Sequence, residues 1–216
     1  MSFSERLTGL PLRENIPITL VGLGHGAIHW TDAVFYLLLP ALSTALGLSY
    51  TETGALVSVF HFSAFAANFV SGPLVDLSGR RVIFQILSVA VGALALMAMG
   101  LATTFFALAG LVVVLGVTSN LWHPPAISFL SNRYPKNRGY ALSIHGLGAS
   151  AGDTVAPLTA GALMATFGWQ QAAEISAVPA LAVAVILAVG LMRYETKKAE
   201  GTAARGVGLS EYFAGI

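Results

Sequence analysis

Six long apolar segments, separated by short polar ones, dominate the pattern along the chain. The apolar runs are continuous and lack the alternation of polar and apolar residues that is typical of membrane β-barrel strands. Each run reaches the roughly 20 residues that a helix needs to cross the hydrocarbon core of a bilayer. The pattern therefore predicts an all-α membrane protein with six transmembrane helices, at residues 18–46, 53–75, 82–101, 104–130, 140–166 and 172–193.

The predicted spans divide the chain into three parts. Residues 1–17 form an N-terminal segment, residues 18–193 form the helical bundle, and residues 194–216 form a polar linker. Near the end of that linker, Ser210 is a suitable cap for a helix that would begin at Glu211. A chain that stops while a helix is beginning is expected to be part of a longer protein.

All basic residues lie on one side of the six predicted spans, and the loops on the other side carry none. Short cytoplasmic loops of membrane proteins retain Lys and Arg, so this bias predicts that both ends of the chain are cytoplasmic, in the cell (inner) membrane. The basic residues are Arg6, Arg13, Arg80, Arg81, Arg133, Lys136, Arg138, Arg193, Lys197, Lys198 and Arg205.

Composition agrees with a membrane protein and excludes other classes. The chain is 56% hydrophobic and 10% charged, whereas a soluble domain carries about 25% charged residues. It contains no cysteine, which excludes disulfides and thiolate metal sites. The basic residues are spread over short loops and form no nucleic-acid-binding patch. No nucleophile elbow, zinc-protease motif or phosphate loop is present, so we expect neither an enzyme nor a cofactor.

Polar residues inside the predicted spans are the candidates for function, because ionisable groups at membrane depth are costly and face a bundle interior or a cavity. His25, His29 and Asp32 are spaced i, i+4 and i+7 and share one helix face. Such a stripe suits proton or substrate handling, with the Asp as counter-ion of a histidine, and it equally suits a polar contact that only joins helices. The predicted substrate and proton pathway comprises His25, His29, Asp32, His61, Asn68, Trp122, His123, His145 and Asp153.

The same stripe has the spacing of a metal site, because His and carboxylate ligands suit zinc or iron. One helix supplies at most three ligands here, and the others would have to come from His61, His123 or His145, whose positions the sequence does not give. We therefore assign no metal site from the sequence. A metal-binding or metal-transporting membrane protein remains the alternative function, and a six-helix subunit that dimerises is another.

Prolines and glycines predict the shapes of spans four and five. Pro124 and Pro125 lack backbone donors and should bend span four beside Trp122 and His123. Broken helices of this kind often line the substrate site of a transporter, and Trp122 would suit stacking on a substrate or simple packing. In span five, Gly148 and Gly152 form a small-xxx-small pair that permits close approach of another helix. A lone Asp153 beside them should be paired or protonated.

The loop between spans two and three resembles a known family. Its sequence, Gly72-Pro-Leu-Val-Asp76-Leu-Ser-Gly79-Arg80-Arg81, is similar to the conserved loop of the major facilitator superfamily, although Leu77 stands where the family usually has Arg or Lys. We expect Gly72 to permit tight helix packing, Asp76 to pair with a basic residue or cap a neighbouring helix, and Arg80 and Arg81 to anchor the cytoplasmic face. The turn at Phe167-Gly168-Trp169 resembles the one before the family's sixth helix.

The residues His29-Trp30-Thr31-Asp32 and Trp122-His123-Pro124, with the glycine-rich stretch from Arg138 to Pro157, resemble the fosmidomycin-resistance efflux group of that family. The resemblance implies the N-terminal half of a twelve-helix secondary transporter that exports a small organic compound by proton antiport and alternating access. In that interpretation His29, Asp32 and Asp153 carry protons, while Trp122 and His123 line the substrate site. The implied partners are the substrate, protons, the lipid bilayer, and a C-terminal half or a second copy of the chain.

Overall fold

The structure, a computed structural model, describes Glu5 and residues 8–195. All secondary structure in these residues is helical, which confirms the predicted all-α class. The helices are α1 (Leu12–Ala45), α2 (Tyr50–Ser78), α3 (Arg81–Met99), α4 (Phe105–Leu121), α5 (His123–Arg133), α6 (Arg138–Phe167) and α7 (Trp169–Leu191), followed by a 3-10 turn at Met192–Tyr194. The linker and the helix predicted at Ser210 lie outside the described residues.

Each predicted span falls on one helix, except span four, which is divided between α4 and α5. The division lies at Trp122, where α4 ends and α5 begins with two prolines in its first turn. Pro124 and Pro125 cannot donate to the carbonyls of Asn120 and Leu121, while their fixed φ suits the start of a new helix. Span four is thus interrupted where the sequence predicts, although Trp122 itself keeps helical dihedral angles (φ −64°, ψ −44°), and the predicted bend stays a prediction.

Four helical stretches are long and apolar enough to cross a membrane: Tyr50–Ser78, Arg81–Met99, Phe105–Arg133 and Trp169–Tyr194. The other two long helices, α1 and α6, have 34 and 30 residues and carry most of the polar residues of the predicted pathway. The outer surface of the bundle is apolar, as on α2, where Phe62, Phe65 and Phe69 are 59–74% exposed. This is the surface that lipid or another apolar partner would cover.

Two apolar clusters fill the interior, and His29 and Asp32 of α1 lie between them along the helix. Along α1, Ile18 to Ile28 contribute to one cluster, which also contains Trp122 and Leu187. Val34 to Leu42 contribute to the other, together with Leu56, Phe60, Leu96 and Leu115. His29 and Asp32 fall in the interval between the two clusters on the same helix. The fold therefore places ionisable side chains near the middle of an otherwise apolar bundle.

Close packing of α1 on α6 depends on two pairs of glycines. A Cβ added at Gly148 would collide with the carbonyl of Gly22, and one added at Gly152 would collide with the carbonyl of Gly26. The predicted role of the Gly148 and Gly152 pair is thus confirmed, and Gly22 and Gly26 form the matching pair on α1. A Cβ added at Gly146 would meet no atom within 4 Å.

The ends of the helices that carry basic residues are tied together by polar contacts. Arg133 forms an ion pair with Glu14 (3.0 Å) and lies over the ring of Tyr194 at 4.5 Å. The hydroxyl of Tyr134 donates to the backbone carbonyl of Glu14 (2.8 Å). Glu195 accepts a hydrogen bond from the free backbone N–H of Ile83 in the first turn of α3 (2.8 Å). These contacts connect α1, α3, α5 and the end of α7 at one face of the bundle.

The loop that resembles the major facilitator motif is only partly as expected. Gly79 ends α2 in the left-handed region (φ 69°), which favours glycine, and Arg81 donates to the Ser128 hydroxyl (2.7 Å). A Cβ added at Gly72 would meet nothing within 4 Å in this half of the bundle, so its packing role stays a prediction. Asp76 is exposed, and within residues 8–195 we find neither an ion pair nor a helix cap that it forms.

Candidate functional site

The candidate site is built around the polar face of α1. His25, His29 and Asp32 lie on successive turns of this helix, as their spacing predicts, and each contacts a different set of neighbours. The partners come from α4, α5 and α6. The stripe therefore joins α1 to three other helices of the bundle over about two helical turns.

His29 is paired with a carboxylate on α6. Its Nδ1 lies 3.1 Å from Oδ2 and 3.2 Å from Oδ1 of Asp153. This pairing corrects the prediction that the counter-ion comes from α1 itself, because Asp32 makes its hydrogen bond elsewhere. It agrees with the expectation that Asp153 is a paired carboxylate. The contact links residues 124 positions apart, which no helical period reveals.

Asp32 is bound by a hydroxyl that the sequence analysis missed. The Ser119 Oγ on α4 donates to Asp32 Oδ2 at 2.6 Å. This distance is at the short end of the range for hydrogen bonds between oxygen atoms. Ser119 precedes His123 by four residues, so a search for polar residues at helical spacing in span four would have found it. Its backbone carbonyl also contacts His123 Nδ1 at 3.1 Å.

His25 lies at the centre of a histidine cluster. Its ring is buried and stacks on His145 of α6, with centroids 3.7 Å apart and planes 13° apart. Its Nδ1 lies 2.8 Å from the backbone carbonyl of His145. Its Nε2 lies 3.3 Å from Nε2 of His123, and its ring centroid is 4.7 Å from that of His29. Four of the five histidines of the chain therefore meet at this point.

Trp122 and His123, at the junction of α4 and α5, both lie against the rings of His25 and His145. Trp122 is fully buried, and its indole N–H donates to Nε2 of His145 at 3.2 Å. Its ring thus has no face open to a substrate in this conformation, and it holds the imidazole of His145 instead. His123 is partly exposed and contributes its Nε2 to the cluster.

The remaining two pathway candidates lie on α2 and are not part of the cluster. His61 Nε2 contacts the hydroxyl of Tyr36 at 3.0 Å. Asn68 is exposed. His61 faces the same cavity as His29 and Asp32, whereas Asn68 is not among the residues that line it. Tyr36 is a second residue that the sequence analysis missed, and it precedes no recognisable motif.

A cavity of about 430 Å³ opens beside these groups. It combines the carboxylates of Asp32 and Asp153 with aromatic and aliphatic walls, and no Lys or Arg of residues 8–195 lines it. Such a combination suits a small organic compound, held by apolar contact and oriented by a few polar groups. Its lining residues are His29, Asp32, Ala33, Tyr36, Leu37, Phe60, His61, Asp153 and Pro157.

The cluster also contains a possible ligand set for a metal. One ring nitrogen each of His25, His29 and His123 lies within 4.8 Å of the other two. Among the described residues, these three histidines are the set of side chains whose nitrogen atoms are spaced closely enough to bind one metal ion. Two of the histidines come from α1, and the third is the first residue of α5.

Comparison with known proteins identifies the family. The family model described as Major Facilitator Superfamily matches residues 21–214. The uncharacterized MFS-type transporter YwoD of Bacillus subtilis is 26% identical over 186 residues, which is 85% of this chain and 40% of that protein. The probable hexose phosphate transport protein of Chlamydia pneumoniae is 25% identical over 173 residues, which is 76% of this chain and 36% of that protein. The chain thus spans well under half the length of these relatives.

A solved structure shows the same fold. It is the inward-facing, unoccupied form of a bacterial homologue of the human lysosomal transporter Spinster. The TM-score is 0.71 at 21% identity, and the match covers 94% of this chain and 49% of the solved one. The arrangement of helices described above is therefore that of one half of such a transporter.

Proposed function

Because the chain belongs to the major facilitator superfamily, we propose that it is the N-terminal half of a proton-coupled secondary transporter. In the whole protein the substrate binds between two six-helix halves near the middle of the membrane, and the halves move to expose it alternately to each side. The match to about half of a solved transporter chain supports this arrangement. The partner of this half is a C-terminal half or a second copy of the chain.

The observation that carries the proposal is a carboxylate held inside an apolar bundle. Asp32 faces the cavity and is hydrogen-bonded to Ser119. Because an ionisable group inside a membrane is energetically costly, such residues usually mark a substrate or ion pathway. Binding and release of one proton at Asp32 would change both the charge of the cavity and the contact between α1 and α4. That is the kind of local change by which a proton gradient can bias two conformations.

The cavity favours a neutral or cationic small organic compound. Asp32 and Asp153 both line it, and its lining residues include no Lys or Arg. A phosphate group would be repelled by the carboxylates and would find no guanidinium or ammonium group. Among the described residues, this half therefore contributes no Lys or Arg side chain that would bind a phosphate group in the cavity. Export, as in the fosmidomycin-resistance group, is the direction we propose.

Orientation follows from the basic residues. The cell (inner) membrane, with both ends of the chain cytoplasmic, is the arrangement that places every Lys and Arg on the cytoplasmic side. In that orientation the loop from Gly72 to Arg81 and the Arg133–Glu14 pair lie at the cytoplasmic face, where contacts with the other half would change as the transporter opens and closes.

The proposal is tested with inside-out membrane vesicles that contain the complete gene product. Respiration acidifies the interior of the vesicles. A pH-sensitive dye then reports whether protons leave the interior when a neutral or cationic organic compound is added. We expect at least one compound to release protons, and Asp32→Asn to abolish the release. Exchange of labelled compound across the membrane without a gradient should persist in Asp32→Asn, because only coupling is lost.

Glu52→Gln is the matched control for this experiment. Glu52 is an exposed carboxylate that forms a capping box with Ser49 at the start of α2, far along the helix from the cavity. Glutamine preserves a capping box, so the variant removes a carboxylate without changing the fold. Full proton release in Asp32→Asn would overturn the role of Asp32, and the absence of release with any compound would overturn proton coupling.

A further inference from the structure

The histidine cluster has a feature that the transport cycle does not require. His25 and His123 point the same ring nitrogen at each other, with Nε2 atoms 3.3 Å apart. The Nδ1 atom of each ring contacts a backbone carbonyl instead, at 2.8 Å for His25 and 3.1 Å for His123. A carbonyl oxygen only accepts hydrogen bonds, so each Nδ1 carries the proton.

This arrangement fixes the tautomers of both rings. In a neutral imidazole with a proton on Nδ1, Nε2 carries an unshared lone pair. Two such lone pairs at 3.3 Å repel each other unless a cation lies between or beside them. Either a proton on one Nε2 or a metal ion bound by both removes the repulsion.

Three features favour a metal ion over a proton. The first is the number of donors, because a third histidine, His29, offers a nitrogen within 4.8 Å of the other two, and a single proton needs only two.

The second feature is the distance between the ligand nitrogens. A tetrahedral zinc ion binds nitrogen at 2.0–2.1 Å, which places two ligand nitrogens about 3.3–3.4 Å apart. The Nε2 atoms of His25 and His123 already have that separation.

The third feature is the support of the ligands. Metal-binding histidines almost always donate their other ring N–H to a carboxylate or a backbone carbonyl, which fixes the ring and raises the basicity of the ligand. All three rings follow this pattern. His25 contacts the carbonyl of His145, His123 contacts the carbonyl of Ser119, and His29 contacts the carboxylate of Asp153 at 3.1 Å.

The fourth histidine is excluded as a ligand by its own contacts. Nε2 of His145 accepts a hydrogen bond from the Trp122 indole, and its ring is stacked on His25 at 3.7 Å. His145 therefore supports the ring of His25 and leaves three ligands. Three protein ligands with an open fourth position are typical of zinc sites that bind water or a substrate, whereas structural sites have four.

We propose that His25, His29 and His123 bind a divalent transition-metal ion of the zinc type through their Nε2 atoms, with a fourth position open to water or substrate. Asp153 and the two backbone carbonyls orient the ligands, and His145 and Trp122 hold the ring of His25. The site does not depend on proton coupling through Asp32, since metal binding is measurable in a protein that transports nothing.

The test uses the complete gene product, purified in detergent without a polyhistidine tag and stripped of metal. Titration with Co²⁺ is followed by visible absorption, which reports four-coordinate geometry, and competition with Zn²⁺ gives the zinc affinity. We expect one ion per chain, with His123→Gln and His29→Gln each weakening binding by at least about 100-fold. Asp153→Asn should weaken it by about 10- to 100-fold, as loss of an outer-shell partner does.

His61→Gln is the matched control, because it removes a histidine that faces the same cavity but contacts Tyr36. It should leave the cobalt spectrum and the zinc affinity unchanged. Far-UV circular dichroism shows which variants are folded. Because His29 is partly exposed and His25 is buried, a substitution at His29 is less prone to cause misfolding than one at His25. Absence of stoichiometric binding, or binding that persists unchanged in His123→Gln and His29→Gln, would overturn the proposal.

Discussion

Because of the contact between α1 and α6, alanine substitutions at two glycines of α6 should change the free energy of unfolding in opposite directions. Gly148→Ala adds a Cβ that collides with the backbone carbonyl of Gly22. A backbone atom cannot rotate away as a side chain can, so α1 and α6 would have to separate by roughly 1 Å or more to restore contact distances. That separation would also loosen the neighbouring contact of Gly152 with Gly26.

The expected magnitude follows from these contacts. Overpacking of a well-packed interior costs about 1–3 kcal/mol, and the rigid obstruction places Gly148→Ala at the upper end of that range. Gly146→Ala, two residues away, adds a Cβ that meets nothing within 4 Å. It should instead stabilise the helix by about 0.5–1 kcal/mol, because alanine loses less conformational entropy than glycine on folding.

Unfolding in mixed micelles of dodecyl sulfate and a mild detergent, followed by far-UV circular dichroism, measures both variants. The unfolding midpoint should fall for Gly148→Ala and rise slightly for Gly146→Ala, with free energies about 2–4 kcal/mol apart. Equal shifts in the two variants would refute the assignment of α1 and α6 as helices packed through Gly148.

Two further predictions concern tryptophans that join helices through their indole N–H groups. Trp30→Phe removes the hydrogen bond to the Ser176 carbonyl (2.8 Å) and should lower the free energy of unfolding by about 0.5–1.5 kcal/mol, measured by the same titration; an unchanged midpoint would contradict the contact between α1 and α7. Trp122→Phe leaves the buried Nε2 of His145 without its donor and should lower the free energy of unfolding by about 1–3 kcal/mol. A smaller decrease than in Trp30→Phe would argue against that hydrogen bond.

The sequence predicts the single-helix features of this fold well. Hydropathy alone gives six membrane-spanning segments, because lipid requires continuous apolar helices. The break at Trp122 follows from the missing donors of Pro124 and Pro125. The packing role of Gly148 and Gly152 follows from their small size and spacing. Each of these inferences depends only on residues close together in the chain.

Contacts between helices are what the sequence analysis could not give. The spacing of His25, His29 and Asp32 suggested a pair within α1, whereas His29 binds Asp153 on α6 and Asp32 binds Ser119 on α4. A periodic pattern identifies the face of a helix but not the helix that it meets. One signal for the partner was present, because Gly22 and Gly26 form a second small-xxx-small pair that complements the pair on α6.

The loop of the family motif shows the same limit. Gly72 was expected at a close helix contact, and within the described half of the bundle its position is open. The family resemblance supplied the identity of the loop but not the surroundings of each residue. In contrast, Gly79 has a local reason, since the end of α2 needs a residue at positive φ.

The central claim, secondary transport driven by protons, is tested most directly in liposomes that contain the complete gene product. A pH gradient is imposed, and accumulation is measured for each member of a panel of labelled neutral and cationic organic compounds. We predict that at least one compound accumulates against its own gradient, that a protonophore abolishes this accumulation, and that Asp32→Asn prevents it. Accumulation that survives the protonophore or requires ATP would contradict the claim.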